Sequence, residues 1–117
     1  MPSKLASHRK SAFDRQAGRC YYCGYRMWLK RPEELAALAP LSNRTAAHLQ
    51  CTAEHLIARC DGGSESATNI VAACRFCNQL RHQRKTPMDP SRFRSHVGDR
   101  LARRAWHTSA IWRAFVT

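Results

Sequence analysis

Six cysteines stand at positions 20, 23, 51, 60, 74 and 77, and four of them form two close pairs, Cys20-Tyr21-Tyr22-Cys23 and Cys74-Arg75-Phe76-Cys77. A tight CxxC turn aims two sulfurs at one point, and two such turns supply the four thiolates of a tetrahedral Zn²⁺ site. The 50 residues between the pairs exceed a zinc-ribbon spacing, so the site would tie distant segments together rather than fold a lone finger. Two disulfides or redox-active CxxC turns are the alternatives. Nothing in the chain suggests export, and a thioredoxin-like CxxC does not come twice, so structural zinc is the reading of choice. Cys51 and Cys60 lack a partner motif and are expected to be buried apolar thiols. A chain this small also needs a staple, because its surface-to-volume ratio limits what a core can contribute.

Between and after the two knuckles come Glu54-His55, Gly62-Gly63, Asn69, and Cys77-Asn78 running on to His82. In this order and at these spacings, the set resembles the HNH endonuclease family, in the variant whose ββα-metal core is braced by a four-cysteine zinc site. The resemblance covers roughly residues 13–85. It implies a small α+β fold, a ββα-metal (His-Me finger) core with flanking helices, and metal-dependent hydrolysis of DNA phosphodiester bonds.

Each residue then has a chemical reason. Hydrolysis needs a nucleophilic water, relief of charge at the phosphorus, and help for the departing 3′-oxygen. Imidazole suits abstraction of the water proton, and by resemblance that base is His55. A carboxylate beside it is a natural hard ligand for Mg²⁺. Glu54 occupies that position, where the family usually has Asp, and Glu reaches one methylene further. Adjacent residues of a regular strand point to opposite faces, so Glu54 and His55 serve one site only where the strand bends or ends. Asn78 and His82, four apart, lie on one helical face and are expected to face Glu54 and complete a site for Mg²⁺ or Mn²⁺. Asn69 matches the middle asparagine of the family motif, with the expected role of holding the loop that orients His55. Other readings remain: Glu54 could pair with an arginine, Asn78 could cap a helix, and His82 could touch phosphate. The family often has Pro three residues after the catalytic His; here Ala58 stands there. His8, His48, His96 and His107 are read as surface or structural residues.

Residues 11–18 read as a short helix, with Ala12, Phe13 and Ala17 on one side and Gly18 as its stop. Pro32 opens a second over 32–38, with Glu33 and Glu34 at its positive end, and 40–43 is a loop. A strand is expected over 48–57, a turn at Asp61-Gly62-Gly63, and a second strand over 69–73. Residues 78–85 read as a basic helix ended by Thr86-Pro87. Asp89-Pro90 is an N-cap followed by a first-turn proline. Beyond it Phe93, Val97, Leu101 and Ala105 recur every four residues, followed by Trp106, Ile111, Trp112 and Phe115. The expected organisation is a nuclease domain with zinc knuckles over 1–88 and a basic amphipathic helical extension over 89–117, packed on the core, with a DNA-gripping arm or a partner-binding helix as the alternatives.

The chain of 117 residues carries 20 Lys and Arg against 8 Asp and Glu, a formal charge of +12. Such an imbalance favours a polyanionic partner. Arg75, Arg81, Arg84 and Lys85 flank the expected active-site helix and are candidates for phosphate contacts, which position a nucleic acid without reading its sequence. Double-stranded DNA is the expected partner, with oligomeric state left open. Uncharged stretches reach nine residues, as in 35–43, too short for a membrane span of roughly 20. No secretory signal opens the chain; the expectation is a soluble, cytoplasmic protein, bacterial or phage-encoded. Two functions compete: a metal-dependent endonuclease, and a zinc-stabilised nucleic-acid-binding module that lacks catalysis. Retention of Glu54, His55, Asn69 and Asn78 favours the enzyme.

Overall fold

The computed structural model describes residues 3–38 and 40–115. Its centre is a two-stranded antiparallel sheet of β1 (Cys51–His55) and β2 (Ile70–Cys74), followed without a break by helix α3 (Arg75–Arg81). The register pairs Cys51 with Cys74, Ala53 with Ala72, Glu54 with Val71 and His55 with Ile70. This is a ββα unit in a small α+β fold. Among the described residues no helix is long and apolar enough to cross a membrane.

Helix α1 (Lys4–Arg15) packs on the sheet. It begins well before residue 11 because Ser3 caps it, its hydroxyl accepting from the Ala6 amide; the polar composition of its first turns hid it from the apolar pattern. It stops at Arg15, two residues before positive φ begins, at Ala17 (55°) and Gly18 (74°). Gln16 then clamps the end of the helix to β2 by accepting from the Ala72 amide and donating to its carbonyl. The first knuckle follows and also docks on β2, with the Tyr21 amide donating to the Ala72 carbonyl.

Three expected elements differ. The helix over 32–38 is a single 3-10 turn, Pro32–Leu35, tied down by Glu34, whose carboxylate accepts from the Leu29, Lys30 and Arg31 amides. The loop beyond residue 40 contains a short helix, α2 (Asn43–Ala47), because Ser42 is an N-cap that accepts from the Thr45 amide. Helix α3 begins three residues earlier than expected and ends at Arg81. Cys74 closes β2 and caps α3 at once, its Sγ accepting from the Cys77 amide at 3.4 Å.

The tail is two helices rather than one continuous stripe. Asp89 caps α4 (Pro90–Ala102) through the Arg92 amide, and α5 spans Ser109–Phe115. Positive φ at Arg104 (53°) and His107 (65°) turns the chain between them. Phe93, Val97 and Trp106 join the main core with Tyr22, Ala72 and the four knuckle cysteines. Ile111 joins a second cluster with Trp28, Leu35 and Leu49. The segment after residue 89 is therefore built into the same body as the sheet.

Candidate metal centre and active site

Cys20, Cys23, Cys74 and Cys77 are all buried, and their sulfurs lie within 4.8 Å of one another. Cys23 and Cys74 are 3.8 Å apart, close to the edge of a ZnS₄ tetrahedron with bonds of about 2.3 Å. The disulfide alternative is not adopted, since all four are free thiols. Burial pushes the Cys74 and Cys77 thiols up. Burial acts the same way on Cys20, yet hydrogen bonds from Cys23, Cys74 and Cys77 hold it well below the usual thiol range.

Two side chains from the tail reach this cluster. The Trp106 indole N–H donates to Cys77 Sγ at 3.2 Å, and His107 Nε2 lies 3.3 Å from Cys23 Sγ. The His107 ring is stacked between Phe76 and Tyr25, and burial pushes its pKa down to about 4. Neither role was legible in the sequence. The other two cysteines divide: Cys51 is buried, whereas Cys60 is exposed. Burial raises the Cys51 thiol to about 12. Cys60 corrects the expectation of a buried thiol, because it falls in the short 3-10 turn Arg59–Asp61 on the surface.

Glu54 is 1% exposed at the last but one position of β1. Its Oε2 accepts from the Tyr22 hydroxyl and from Arg81 Nη1, each at 3.0 Å. Its Oε1 accepts from His82 Nε2 at 2.9 Å. Tyr22 sits inside the first knuckle and Arg81 in α3, so three segments converge on one carboxylate. Burial first, and the Glu54 charge second, push the Tyr22 hydroxyl well above the ordinary phenol value.

Arg81 corrects the expectation of a phosphate contact. Only 6% exposed, it donates to Glu54, to the carbonyls of His55 and Leu56, and to the Met88 carbonyl. Its guanidinium is a clasp holding the end of β1 to α3. Arg75 is exposed on α3, and Arg84 and Lys85 are exposed beyond its C-terminus.

Asn78 does not bond to Glu54. Its amide NH₂ donates to Thr52 Oγ1 at 3.0 Å and lies 3.5 Å from the Ala53 carbonyl. A carbonyl only accepts, and the Thr52 hydroxyl donates to Ala73 O, so the amide orientation is fixed by its neighbours. That leaves Oδ1 available as a hard oxygen donor. His82, the C-cap residue of α3, does meet Glu54. Two cis ligands of an octahedral cation at about 2.1 Å lie about 3.0 Å apart, so the 2.9 Å between Nε2 and Oε1 suits a shared cation as well as a shared proton. Carboxylate and imidazole, which meet here, and an amide oxygen on the same helix are all ligand types that a divalent cation accepts.

His55 closes β1, and its Nε2 accepts from Arg59 Nε at 3.4 Å and lies 4.0 Å from Glu65. Arg59 in turn pairs with Glu65. The loop after His55 is held by Asn69, whose Oδ1 accepts from the Ile57 amide at 2.8 Å while its NH₂ donates to the carbonyls of Ile57 and Ser64. Gly63 packs so closely on this loop that a Cβ there would stand 1.7 Å from the Ile57 carbonyl oxygen.

Beside Asn78 and His82 opens a groove of about 580 Å³, floored by β1 and walled by α1 and α3. No curated protein and no solved structure matches the chain. Residues 41–84 match the family model described as HNH endonuclease. That segment contains β1, β2 and α3 together with Glu54, His55, Asn69, Asn78 and His82. The ββα unit in that matched segment and a four-cysteine cluster that could hold zinc are consistent with the ββα-metal fold of HNH endonucleases, in the variant with a zinc site.

Proposed function

We propose that this protein is a metal-dependent endonuclease that hydrolyses DNA phosphodiester bonds, with double-stranded DNA as its partner. The observation that carries the reading is the meeting of Glu54 and His82 at 2.9 Å, with His55 on the adjoining strand position and the orientation of Asn78 leaving its amide oxygen available. Glu54, Asn78 and His82 would hold a Mg²⁺ or Mn²⁺ ion, which when bound would supply Lewis-acid relief of charge at the scissile phosphate. His55 takes the proton of the attacking water. Its present partner at Nε2, Arg59, is 62% exposed and 3.4 Å away, so a water can replace it at little cost. Asn69 is a positioning residue, fixing the loop through which His55 is aimed. Arg75, Arg84 and Lys85 supply phosphate contacts, and zinc in the four-cysteine site is structural. The nuclease function is assigned to residues 1–88, with 89–117 as an extension that covers the zinc site.

One observation favours a second reading, a nucleic-acid-binding module without catalysis. The Glu54 carboxylate already neutralises Arg81 and accepts from Tyr22, an arrangement that is stable without a cation. Incubation of supercoiled plasmid with zinc-loaded protein and Mg²⁺ or Mn²⁺ separates the two. The endonuclease reading expects nicked or linear product, and a loss of roughly 10²- to 10⁴-fold in rate for His55→Ala, with zinc content and DNA affinity retained. Intact plasmid with both metals leaves the binding module as the function.

A further inference from the structure

The groove beside α3 has cationic and amide side chains on a partly apolar lining, and no carboxylate among the described residues. Arg9 reaches it from α1 and Arg75 from α3, while Gln50 and Gln79 contribute side-chain amides. Neither arginine takes part in an ion pair among the described residues. Arg9 Nε is buried and has no hydrogen-bond partner, an uncommon condition for a buried donor. Every other buried guanidinium requirement nearby is met within the protein, as Arg81 shows with its four acceptors. At about 580 Å³ the groove falls in the size range of ligand clefts, about 300–1,000 Å³.

Asn78 and His82 line this groove as well. A strand whose scissile phosphate sits at those two residues continues on one side into the space between α1 and α3. We propose that the groove is a subsite for the phosphodiester backbone of the substrate strand next to the cleaved linkage, with Arg9 holding one phosphate from α1 opposite Arg75. The position of this subsite relative to the cleaved bond rests on the nuclease reading, whereas its anion chemistry does not. Because α1 lies outside residues 41–84, the contact belongs to this chain's own N-terminal helix rather than to the matched domain. It gives the ββα unit a second wall against the strand.

Binding of a fluorescent 20-base-pair duplex to zinc-loaded protein, with no added Mg²⁺ or Mn²⁺, tests this over a range of salt concentrations. Each phosphate neutralised on duplex DNA contributes about −0.9 to the slope of log K against log salt. Arg9→Ala and Arg9→Gln are expected to make the slope shallower by about that amount, and Arg9→Lys to preserve it. Arg113→Ala, on α5 away from the groove, is expected to leave it unchanged. Amide hydrogen exchange should show residues 4–9 gaining protection when DNA is added. An unchanged slope in both neutral Arg9 variants overturns the proposal, as does an equal change in Arg113→Ala, which would mean a diffuse field instead of a groove. The Gln and Lys variants keep the test decisive should Arg9→Ala fold poorly, with zinc content as the check. A wild type that binds with the Arg9-dependent slope but cuts no plasmid loses the nuclease reading and keeps the groove. A wild type that cuts with an Arg9-independent slope does the reverse, and one that binds no DNA overturns both.

Discussion

Arg81→Met puts the clasp at the centre of the site to a direct test. The guanidinium is 6% exposed and the carboxylate it faces 2% exposed, with 3.0 Å between them. Removing it strips Glu54 of its only fully charged partner and leaves the His55, Leu56 and Met88 carbonyls short of a donor. Breaking a buried pair from one side costs about 3–5 kcal/mol, because the other charge stays behind. A domain of this size has total stability on the order of 10 kcal/mol, and each kcal/mol moves Tm by about 4 °C. The expected fall is therefore about 12–20 °C, with a matching drop in the urea midpoint. Adding Glu54→Gln removes the stranded charge, so the double variant should be more stable than Arg81→Met alone. Thermal melts of the four proteins of this cycle, all zinc-loaded, supply the numbers. Were Arg81 a phosphate contact, the single variant would melt near wild type and bind DNA with a salt slope shallower by about 0.9. That pattern, or strictly additive effects in the cycle, refutes the clasp.

Three further outcomes follow from the same geometry. Elemental analysis should find one zinc per chain, and Cys77→Ser should lose it and unfold at ambient temperature, since metal binding at such a site is folding energy; zinc-free protein that melts like the wild type would disprove this. Tyr22→Phe should cost about 1.5–3 kcal/mol near neutral pH, the worth of a hydrogen bond to a charged group. Because the folded-state value of Tyr22 is raised, this contribution is complete below the unfolded value of about 10 and declines as pH rises above it. Urea midpoints of wild type and Tyr22→Phe should therefore converge above about pH 10, and a gap that widens there would contradict the assigned bond. Gly63→Ala should slow plasmid cutting more than it lowers DNA affinity, because its Cβ displaces the Ile57 carbonyl in the loop that aims His55; equal cleavage rates would show that the loop does not set the base.

Local chemistry was readable in the chain, and partnership over long separations was not. Paired cysteines announce a metal because both ligands of each turn are three residues apart. The cap at Asp89 and the strand around Ile70 are likewise signalled by their immediate neighbours. Helix α2 was hidden because its only cue is one serine before five residues of little apolar character. The start of α3 was misplaced because Cys74 was assigned one duty, as a ligand, and it also caps the helix. Arg81 was placed on DNA since nothing within α3 distinguishes it from Arg75 or Arg84. Its acceptors lie 25 to 27 residues earlier, apart from Met88. Tyr22 is separated from Glu54 by 32 residues and His107 from Cys23 by 84, so neither contact leaves a trace in local spacing. The amphipathic period of α4 was legible, but the fold-back at Arg104 and His107 depends on tertiary packing that overrides the helical pattern.

The zinc centre and the candidate active site are one mechanical unit, and α3 is the reason. Its first turn carries Cys74 and Cys77, so a tetrahedral ion fixes where the helix begins. Asn78, Arg81 and His82 follow Cys77 at one, four and five residues, within about 8 Å along an axis that rises ~1.5 Å per residue. Over so short a span a helix has no slack, and an error at the sulfur end is carried to the imidazole end nearly undiminished. The first knuckle grips the same site from the other side, since Tyr22 lies between two ligands and bonds to Glu54. Catalytic geometry tolerates about 0.5 Å, so a larger displacement at the sulfur end would disturb the carboxylate and the imidazole. Loss of a zinc ion held by the four sulfurs would therefore be felt at the carboxylate. The position of Trp106 and His107 against the sulfurs extends that dependence to the tail, which bears on the site through the sulfurs, whereas the first knuckle reaches Glu54 directly through Tyr22.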